Sequence, residues 1–194
     1  MTRSLVVGIL VGGRATRMGG AAKGLLAAPD TGEGLVPRLV RICRSSIPEA
    51  EIVLAGEAPR YAALGLEAIA DDPAGQGPLG ALHALLVRAE ATNRDVIALA
   101  CDLPYVTSEL VGRLAAYAPD AAAVAPRTEG LWQPLFARYD APACRSLATD
   151  LLSADRRALR GVLERLGDRA VELPLTREEA GLLDDWDAPT DVRA

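Results

Sequence analysis

Short, nearly continuous apolar runs alternate along this sequence with longer stretches in which apolar residues recur every three or four positions. The short runs predict strands, and they lie at residues 5–11, 51–56, 66–70, 95–100, 121–125, 132–139 and 170–173. The amphipathic stretches predict helices, and they lie at residues 36–47, 79–89, 110–117 and 159–166. Because strands and helices alternate, we expect an α/β fold, a three-layer α/β/α sandwich around a mostly parallel sheet.

The length of the chain fits one domain. Its 194 residues can bury a sizeable core but are short for two domains. No repeat or linker divides them, so residues 1–194 are predicted to form a single domain. No apolar run approaches the ~20 residues of a membrane span, and the first residues lack the cleavage pattern of a secretory signal. These features favour a cytoplasmic protein without a membrane partner.

Charge and cysteine content exclude further classes of partner. The formal net charge of −5 is not offset by any run of lysine or arginine interleaved with aromatics, which argues against nucleic acid. The three cysteines, Cys43, Cys101 and Cys144, lack the spacing of a metal site and fall in or beside predicted buried elements. We expect reduced thiols with a structural role. Any anionic ligand must be small and held by a local site.

A glycine-rich loop directly follows the first predicted strand. Residues 12–20 read GGRATRMGG, and Lys23 and Gly24 follow shortly after. Glycine has no Cβ, so such a loop can bring backbone N–H groups close to an anion, and Arg17 and Lys23 add two cations. The segment fits neither G-x-x-x-x-G-K-[ST], since Gly24 follows the lysine, nor the dinucleotide pattern G-x-G-x-x-G. A loop of this kind suits a triphosphate, and a glycine-rich turn with incidental charges is the alternative.

Two carboxylates follow predicted strands, Asp71 after the third and Asp102 after the run at 95–100. Ligands of open parallel sheets bind beyond the carboxyl ends of the strands, so the loop and both carboxylates should line one crevice. A carboxylate would repel a phosphate by about 4 kcal/mol at 4 Å and an effective dielectric of 20, and a divalent cation between them removes that repulsion. Oxygen ligands without a His or Cys cluster favour Mg²⁺ over zinc. Asp102 is our first choice of ligand, and ordinary turn residues are the alternative for both positions.

The glycine pair at 12–13, Arg17-Met18-Gly19-Gly20 and Lys23-Gly24-Leu25 resemble the signature loop of the nucleotidyltransferases with a Rossmann-like fold. Among these, the loop is most similar to that of the molybdenum cofactor guanylyltransferases. The CDLPY segment at 101–105 resembles the family's C-D-x-P-Y, and GPL at 77–79 resembles its G-P-L. QPL at 133–135 and the predicted helix at 159–166 are also similar to the family. The resemblance therefore covers nearly the whole chain.

The resemblance implies a Rossmann-like sheet of the nucleotide-diphospho-sugar transferase type and transfer of GMP from GTP to the terminal phosphate of molybdopterin. GTP and molybdopterin would then be the small-molecule substrates, and proteins that deliver or accept the molybdenum cofactor are candidate partners. Arg17, Lys23 and Asp102 would be the catalytic residues, with Asp102 and Asp187 as ligands of Mg²⁺, and a helix cap is the alternative for Asp187. The residues implied to contact the nucleotide are Leu10, Val11, Gly12, Gly13, Arg17, Gly19, Lys23, Asp71, Gly77, Pro78, Leu79 and Asp102.

Three positions depart from the pattern of the guanylyltransferases. Ala22 stands where many relatives have aspartate, and Val11 replaces the usual alanine. Residues 185–189, DWDAP, resemble the D-x-D-T-P ending of the wider superfamily, where guanylyltransferases often have asparagines. The base and the acceptor therefore stay open. The enzymatic alternative is a cytidylyltransferase or a sugar-phosphate nucleotidyltransferase, and the alternative outside enzymes is a non-catalytic GTP-binding accessory protein.

The single histidine and the aromatic residues have weaker claims to the site. His83 lies on the apolar face of the helix at 79–89, so we expect it to be packed rather than catalytic. Trp132, Phe136 and Tyr139 are expected to be packed as well, and lining an acceptor pocket is the alternative.

Overall fold

The computed structural model describes residues 4–11 and 23–186. The strands in these ranges are β1 (Leu5–Leu10), β2 (Glu51–Ala55), β3 (Ala68–Ile69), β4 (Asp95–Ala100), β5 (Ala123–Ala125), β6 (Arg127–Thr128), β7 (Leu131–Trp132), β8 (Phe136–Tyr139) and β9 (Ala170–Glu172). The helices are α1 (Leu35–Ser46), α2 (Gly77–Ala91), α3 (Ser108–Ala116), α4 (Ala141–Ser153), α5 (Gly161–Leu166) and α6 (Arg177–Gly181). None of the helices described is both long and apolar enough to cross a bilayer.

Seven of these strands form one sheet with the order β3-β2-β1-β4-β8-β5-β9. Neighbouring strands are parallel, except that β8 runs antiparallel to both β4 and β5. The chain moves outward from β1 to β3 and then returns to the other side of β1, so the strand order reverses between β1 and β4. Open sheets bind their ligands at such a switch point. The predicted α/β fold with a mostly parallel sheet is confirmed.

Helices cover both faces of the sheet, because alternate residues of each strand point to opposite faces. In β1, Val6 and Leu10 join a buried cluster with residues of α2, α4 and α5. Leu5, Val7 and Ile9 join a second cluster with residues of α1 and α3. These two clusters are the cores on either side of the sheet, and they confirm the three-layer arrangement.

The structure adds one long helix that the apolar pattern did not predict. The buried positions of α4 include Ala141, Cys144 and Ala148, whose small side chains give a weak hydrophobic signal. The helix begins where the Asp140 carboxylate accepts a hydrogen bond from the Ala143 N–H at 2.8 Å, as an N-cap. A second difference concerns Tyr117 at the end of α3. The sequence pattern predicts this residue on the buried face of the helix, but its side chain is exposed.

Gly8, in the middle of β1, packs directly against α2. A Cβ added there would lie 2.3 Å from Leu85 Cδ1, and Leu85 is fully buried, so its side chain has no free space to move into. We expect Gly8→Ala to lower the free energy of unfolding by about 1–3 kcal/mol through overpacking. Urea denaturation followed by circular dichroism measures this change.

The matched control is Gly112→Ala in α3. A Cβ at Gly112 would meet only the Ser46 Cβ at 4.0 Å, and alanine is favoured over glycine inside a helix by roughly 0.5–1 kcal/mol. This variant should therefore be slightly more stable than the wild-type protein. Equal stability of Gly8→Ala and wild type would contradict the close packing of β1 on α2.

Candidate active site

The carboxyl ends of β1 and β4 lie side by side at the switch point of the sheet. Leu10, the last residue of β1, pairs with Ala100, the last residue of β4. The chain leaves β1 through Val11, whose N–H donates to the Ala55 carbonyl at 2.9 Å. It leaves β4 through the turn that carries Asp102. Groups that follow these two strands therefore face the same space beyond the sheet.

Lys23 and Asp102 meet in this space. The Lys23 Nζ donates to Asp102 Oδ2 at 2.9 Å, although the two residues are 79 positions apart in sequence. Their side chains are only 21% and 15% exposed, so the ion pair is shielded from solvent but remains reachable from outside. The structure thus joins two of the residues that the sequence analysis selected as catalytic.

The backbone around Lys23 is fixed by a close contact that requires glycine. A Cβ at Gly24 would lie 2.4 Å from Val36 Cγ2 and 2.6 Å from the Tyr61 hydroxyl oxygen. Tyr61 is buried, and burial is the main reason why its pKa is raised to about 12. Hydrogen bonding with the Gly24 backbone opposes the rise in pKa of both the Tyr61 hydroxyl and the Cys101 thiol. Tyr61 belongs to no motif, and sequence reasoning missed its place beside this segment.

The turn that carries Asp102 is held from the other side by the end of the described chain. The Trp186 backbone N–H donates to the Asp102 carbonyl at 3.2 Å. The Trp186 ring is buried and meets the Tyr105 ring edge-on, with centroids 6.3 Å apart. The chain thus reaches the Asp102 turn one residue before Asp187. Five predicted site residues lie outside the described ranges, namely Gly12, Gly13, Arg17, Gly19 and Asp187.

The loop after β3 and the start of α2 form a second part of the candidate site, at the same edge of the sheet. Asp71 is half-buried, and its Oδ1 has no hydrogen-bond partner among the described residues. Burial and, to a smaller extent, the charge of Glu57 raise the pKa of the Asp71 carboxyl. The buried Gln76 Oε1 likewise has no partner among the described residues. Buried acceptor oxygens normally receive a hydrogen bond. A ligand with hydrogen-bond donors could therefore bind at this loop.

Glycines shape the path of this loop. The Asp72 N–H donates to the Gly80 carbonyl at 3.3 Å, and a Cβ at Gly80 would lie 2.8 Å from the Pro73 carbonyl oxygen. Gly77 begins α2 with a φ of +62°, a value that favours glycine.

The predicted nucleotide contacts differ in how accessible they are. Gly77 and Pro78 are exposed and Val11 is half-buried. In contrast, Leu10 and Leu79 are buried in the core between the sheet and α2. Any contact that Leu10 or Leu79 makes with a ligand must therefore come from the backbone.

The donor set fits a magnesium ion that is bound together with a phosphate. Among the described residues, no group of three or more His, Cys, Asp or Glu side chains could hold a metal ion by itself. Asp102 is the described carboxylate at the switch point, and Mg²⁺ is typically bound through one or two carboxylates, with water and substrate phosphates completing its coordination. A magnesium ion at this place would therefore be held by Asp102 together with phosphate oxygens of a nucleotide.

The packed residues agree in part with the sequence analysis. His83 Nδ1 lies 2.8 Å from the Asp72 carbonyl oxygen and its Nε2 lies 3.2 Å from Thr149 Oγ1. The ring therefore links the loop after β3 to α4 through polar contacts, and it is half-buried rather than part of the core. Phe136 and Tyr139 are buried in the core, whereas Trp132 is only half-buried.

The sequence is similar to proteins of one family. A family model described as a MobA-like NTP transferase domain matches residues 7–170. A molybdenum cofactor guanylyltransferase of Mesorhizobium japonicum is 34% identical over 191 residues, which cover 94% of this chain and 88% of that protein.

Two solved structures share the fold. Molybdopterin-guanine dinucleotide biosynthesis protein A from Archaeoglobus fulgidus has a TM-score of 0.72 at 22% identity, over 96% of this chain and 94% of the other. The 2-C-methyl-D-erythritol 4-phosphate cytidylyltransferase from Thermus thermophilus has a TM-score of 0.63 at 16% identity, over 98% and 95% of the two chains. They confirm the Rossmann-like fold of the nucleotidyltransferases.

The cysteine beside Asp102 should be unreactive in the folded protein. Burial, followed by the negative charge of Asp102, raises the pKa of the Cys101 thiol to about 12, with Lys23 opposing the shift. Burial also raises the pKa values of Cys43 and Cys144 to about 12. The thiolate is the nucleophile, so we expect very slow reaction of the native protein with Ellman's reagent at about pH 8. All three thiols should react after unfolding in urea.

The same shifts predict how stability depends on pH. The folded pKa values of about 12 lie above the ordinary value of 9.0, so a proton on each thiol favours the folded state. The free energy of unfolding should therefore fall as the pH rises from about 9 towards 12. A rapidly titrated thiol in the native protein would contradict both expectations.

Proposed function

The chain belongs to the family of MobA-like NTP transferases, and from this membership we propose that it transfers GMP from GTP to the terminal phosphate of molybdopterin and releases pyrophosphate. The base and the acceptor are those in the names of relatives such as the Mesorhizobium japonicum guanylyltransferase. The observation that carries the nucleotidyl chemistry is the meeting of Lys23 and Asp102 at the switch point. In this proposal residues 1–194 act as one domain, Mg²⁺ is the metal ion, and the reaction takes place in the cytoplasm.

The proposed reaction needs no nucleophile from the protein. An oxygen of the molybdopterin phosphate attacks the α-phosphorus of GTP, the bond from that phosphorus to the α–β bridging oxygen breaks, and its electron pair leaves with pyrophosphate. The protein has to position the two phosphates and stabilise the negative charge. This requirement agrees with the raised pKa of the Cys101 thiol and with the hydrogen bonds that hold His83.

Lys23 exchanges partners when the nucleotide binds. Before binding, its ammonium group is paired with the Asp102 carboxylate. A triphosphate brings several anionic oxygens to the same place, and Lys23 then donates to one of them. This exchange leaves the Asp102 oxygens available to hold Mg²⁺, with Asp187 as a second candidate ligand. The bound ion would supply charge neutralisation between carboxylate and phosphate.

The nucleobase lies on the other side of β1 in this proposal. Asp71 and Gln76 present buried acceptor oxygens without partners among the described residues. The Watson–Crick edge of guanine carries two adjacent N–H donor groups, and one carboxylate can accept a hydrogen bond from each of them. The exposed Gly77 and Pro78 at the start of α2 border the same space.

Cytidylyl transfer is the second candidate. The Thermus thermophilus cytidylyltransferase shares the fold, and the DWDAP segment at 185–189 resembles the ending of the wider superfamily, so transfer to a sugar phosphate remains an alternative beside it. A non-catalytic GTP-binding protein is the third.

One experiment separates these functions. The purified protein is incubated with Mg²⁺, anaerobically released molybdopterin and each of GTP, CTP, ATP and UTP in turn, while pyrophosphate is measured by a coupled assay and the product by mass spectrometry. We expect pyrophosphate and a molybdopterin-guanine dinucleotide with GTP. A cytosine dinucleotide would support the second candidate. Nucleotide binding without pyrophosphate release would contradict the proposed activity and support a binding protein.

Lys23→Ala should lower kcat/KM for GTP by at least about 100-fold, the effect typical of losing one group that stabilises charge in the transition state. Asp102→Asn should cause a similar loss and should weaken the dependence of nucleotide binding on Mg²⁺. Arg145→Ala is the control, because it also removes an ion-paired cation, here one that binds Glu90 away from the switch point. Steady-state kinetics at several Mg²⁺ concentrations measure these effects, and wild-type rates for Lys23→Ala would refute its role.

The exchange of partners can be observed without turnover, because Lys23 is the only lysine of the chain. Reductive methylation with ¹³C-formaldehyde labels its side chain and the α-amino group, and a methylated lysine keeps its charge. We expect GTP with Mg²⁺ to shift the Lys23 resonance in a saturable manner, while the α-amino resonance is the internal control. A Lys23 resonance that does not move at saturating GTP would contradict the exchange.

A further inference from the structure

The order of strands assigns a side of the site to the acceptor, an inference that rests on the proposed function. Asp71 follows β3, the segment of Lys23 follows β1, and Asp102 follows β4. In the sheet, β3 lies on one side of β4, separated from it by β2 and β1, whereas β8 and β5 lie on the other side. With the nucleobase beside Asp71, the α-phosphate lies near Asp102, and the acceptor approaches from the side of β8 and β5.

The hairpin of β6 and β7 occupies that side. It connects β5 to β8, and the segment between the hairpin and β8 is joined to the end of β4, because the Ala100 N–H donates to the Leu135 carbonyl at 2.8 Å. Asp102 is two residues beyond Ala100, so the chain that leaves the hairpin runs beside the strand that carries Asp102. Trp132 packs against the same cluster as Leu79 in the first turn of α2. The hairpin is thus on the face of the sheet that carries the proposed base site.

A flat cationic surface covers this hairpin. The Arg127 guanidinium carbon lies 4.0 Å from the centroid of the Trp132 ring, a cation–π contact. Arg127 Nη1 donates to the Gly130 carbonyl at 3.2 Å, and Nε lies 3.6 Å from Glu172 Oε2. These contacts fix the plane of the guanidinium, and the side chain is still 40% exposed. A ligand can therefore reach the exposed part of the side chain.

The hairpin holds this surface rigidly. Glu129 and Gly130 form its two-residue turn with φ values of 52° and 78°, as in the tight turns that match the twist of a β-hairpin. Arg127 pairs with Trp132 across the strands, so both point to one face, and Leu131 points to the other. A guanidinium plane stacks well on a flat ring and also donates hydrogen bonds in its own plane.

We propose that Arg127, held on Trp132, binds the planar heterocycle of the acceptor, and that this hairpin selects acceptors with a flat, hydrogen-bonding ring system. The pyrimidinone ring of a pterin has this chemistry, because it is flat and carries carbonyl and nitrogen acceptors along its edge. Sugar phosphates lack a flat ring and would gain little from the surface. The hairpin thus contributes to acceptor choice, and Asp71 and the start of α2 contribute to base choice.

Kinetics of the whole enzyme with molybdopterin as the varied substrate test the proposal. We expect Arg127→Ala to raise KM for molybdopterin by about 10-fold or more, as for the loss of a charged hydrogen bond. The value of kcat at saturating acceptor should stay within about three-fold of wild type, since no group near the α-phosphate changes. The Kd for GTP, measured by the shift of the labelled Lys23 resonance, should be unchanged. An unchanged KM for molybdopterin would overturn the proposal.

Two variants separate binding by Arg127 from a general effect on the hairpin. Leu131→Ala changes the opposite face, where the side chain is 53% exposed, and it should leave KM for molybdopterin unchanged. Glu172→Gln removes the ion pair but keeps Arg127 on Trp132, and it should leave KM unchanged or lower it. A rise in KM for either variant as large as that of Arg127→Ala would mean that hairpin stability is responsible, and the proposal would fail.

The remaining outcomes also give a clear result. If Arg127→Ala does not fold, Arg127→Lys keeps the charge but loses the planar group and should raise KM in the same direction. If the wild-type protein makes no product from GTP and molybdopterin, the proposed function fails and this inference fails with it. If wild type is active and Arg127→Ala and Arg127→Lys both have the wild-type KM, the hairpin inference alone is wrong.

Discussion

The ion pair between Lys23 and Asp102 is the contact on which the candidate site depends. It exists because parallel pairing of β1 and β4 brings two segments 79 residues apart to one edge of the sheet. Lys23 is the only lysine beside 20 arginines. A guanidinium is a rigid fork that suits a fixed bidentate partner, whereas an ammonium is a compact charge on a flexible stem. In the proposed function, the single lysine of a chain whose other cationic side chains are arginines stands where a cation has to leave one anion for another.

Both members of the pair are held by packing that comes from distant parts of the chain. Gly24 lies so close to Val36 and Tyr61 that any larger residue would displace the backbone next to Lys23. On the other side, the Trp186 N–H bonds to the Asp102 carbonyl, and the buried Trp186 ring fixes that contact. The aliphatic stem of the lysine can move while the backbone on each side stays in place. Such an arrangement allows a change of partner without a change of fold.

Much of this could be predicted from the sequence, because the relevant signals are local. The strands β1 and β4 are continuous apolar runs. Because ligands bind beyond the carboxyl ends of such strands, Lys23 and Asp102 were predicted to lie in one crevice. The helix α4 was missed because small side chains such as Ala141 and Ala148 give little hydrophobic contrast. Tyr61, Trp186 and the stacking of Arg127 on Trp132 could not be predicted, since each is a contact between segments that no motif connects.

In the proposed function, the electrostatics of the site would allow an acidic protein to bind a triphosphate. With the pair intact, Lys23 neutralises the charge of Asp102, so the switch point is not a strong negative field that repels the nucleotide. A phosphate that takes over the lysine leaves the carboxylate uncompensated, and a divalent cation then restores the balance. Each ligand therefore increases the affinity for the other, and the increase must be the same in both directions. Under the proposed function, nucleotide and metal would therefore bind as a coupled pair, and the lysine that both displace from Asp102 would be the element that couples them.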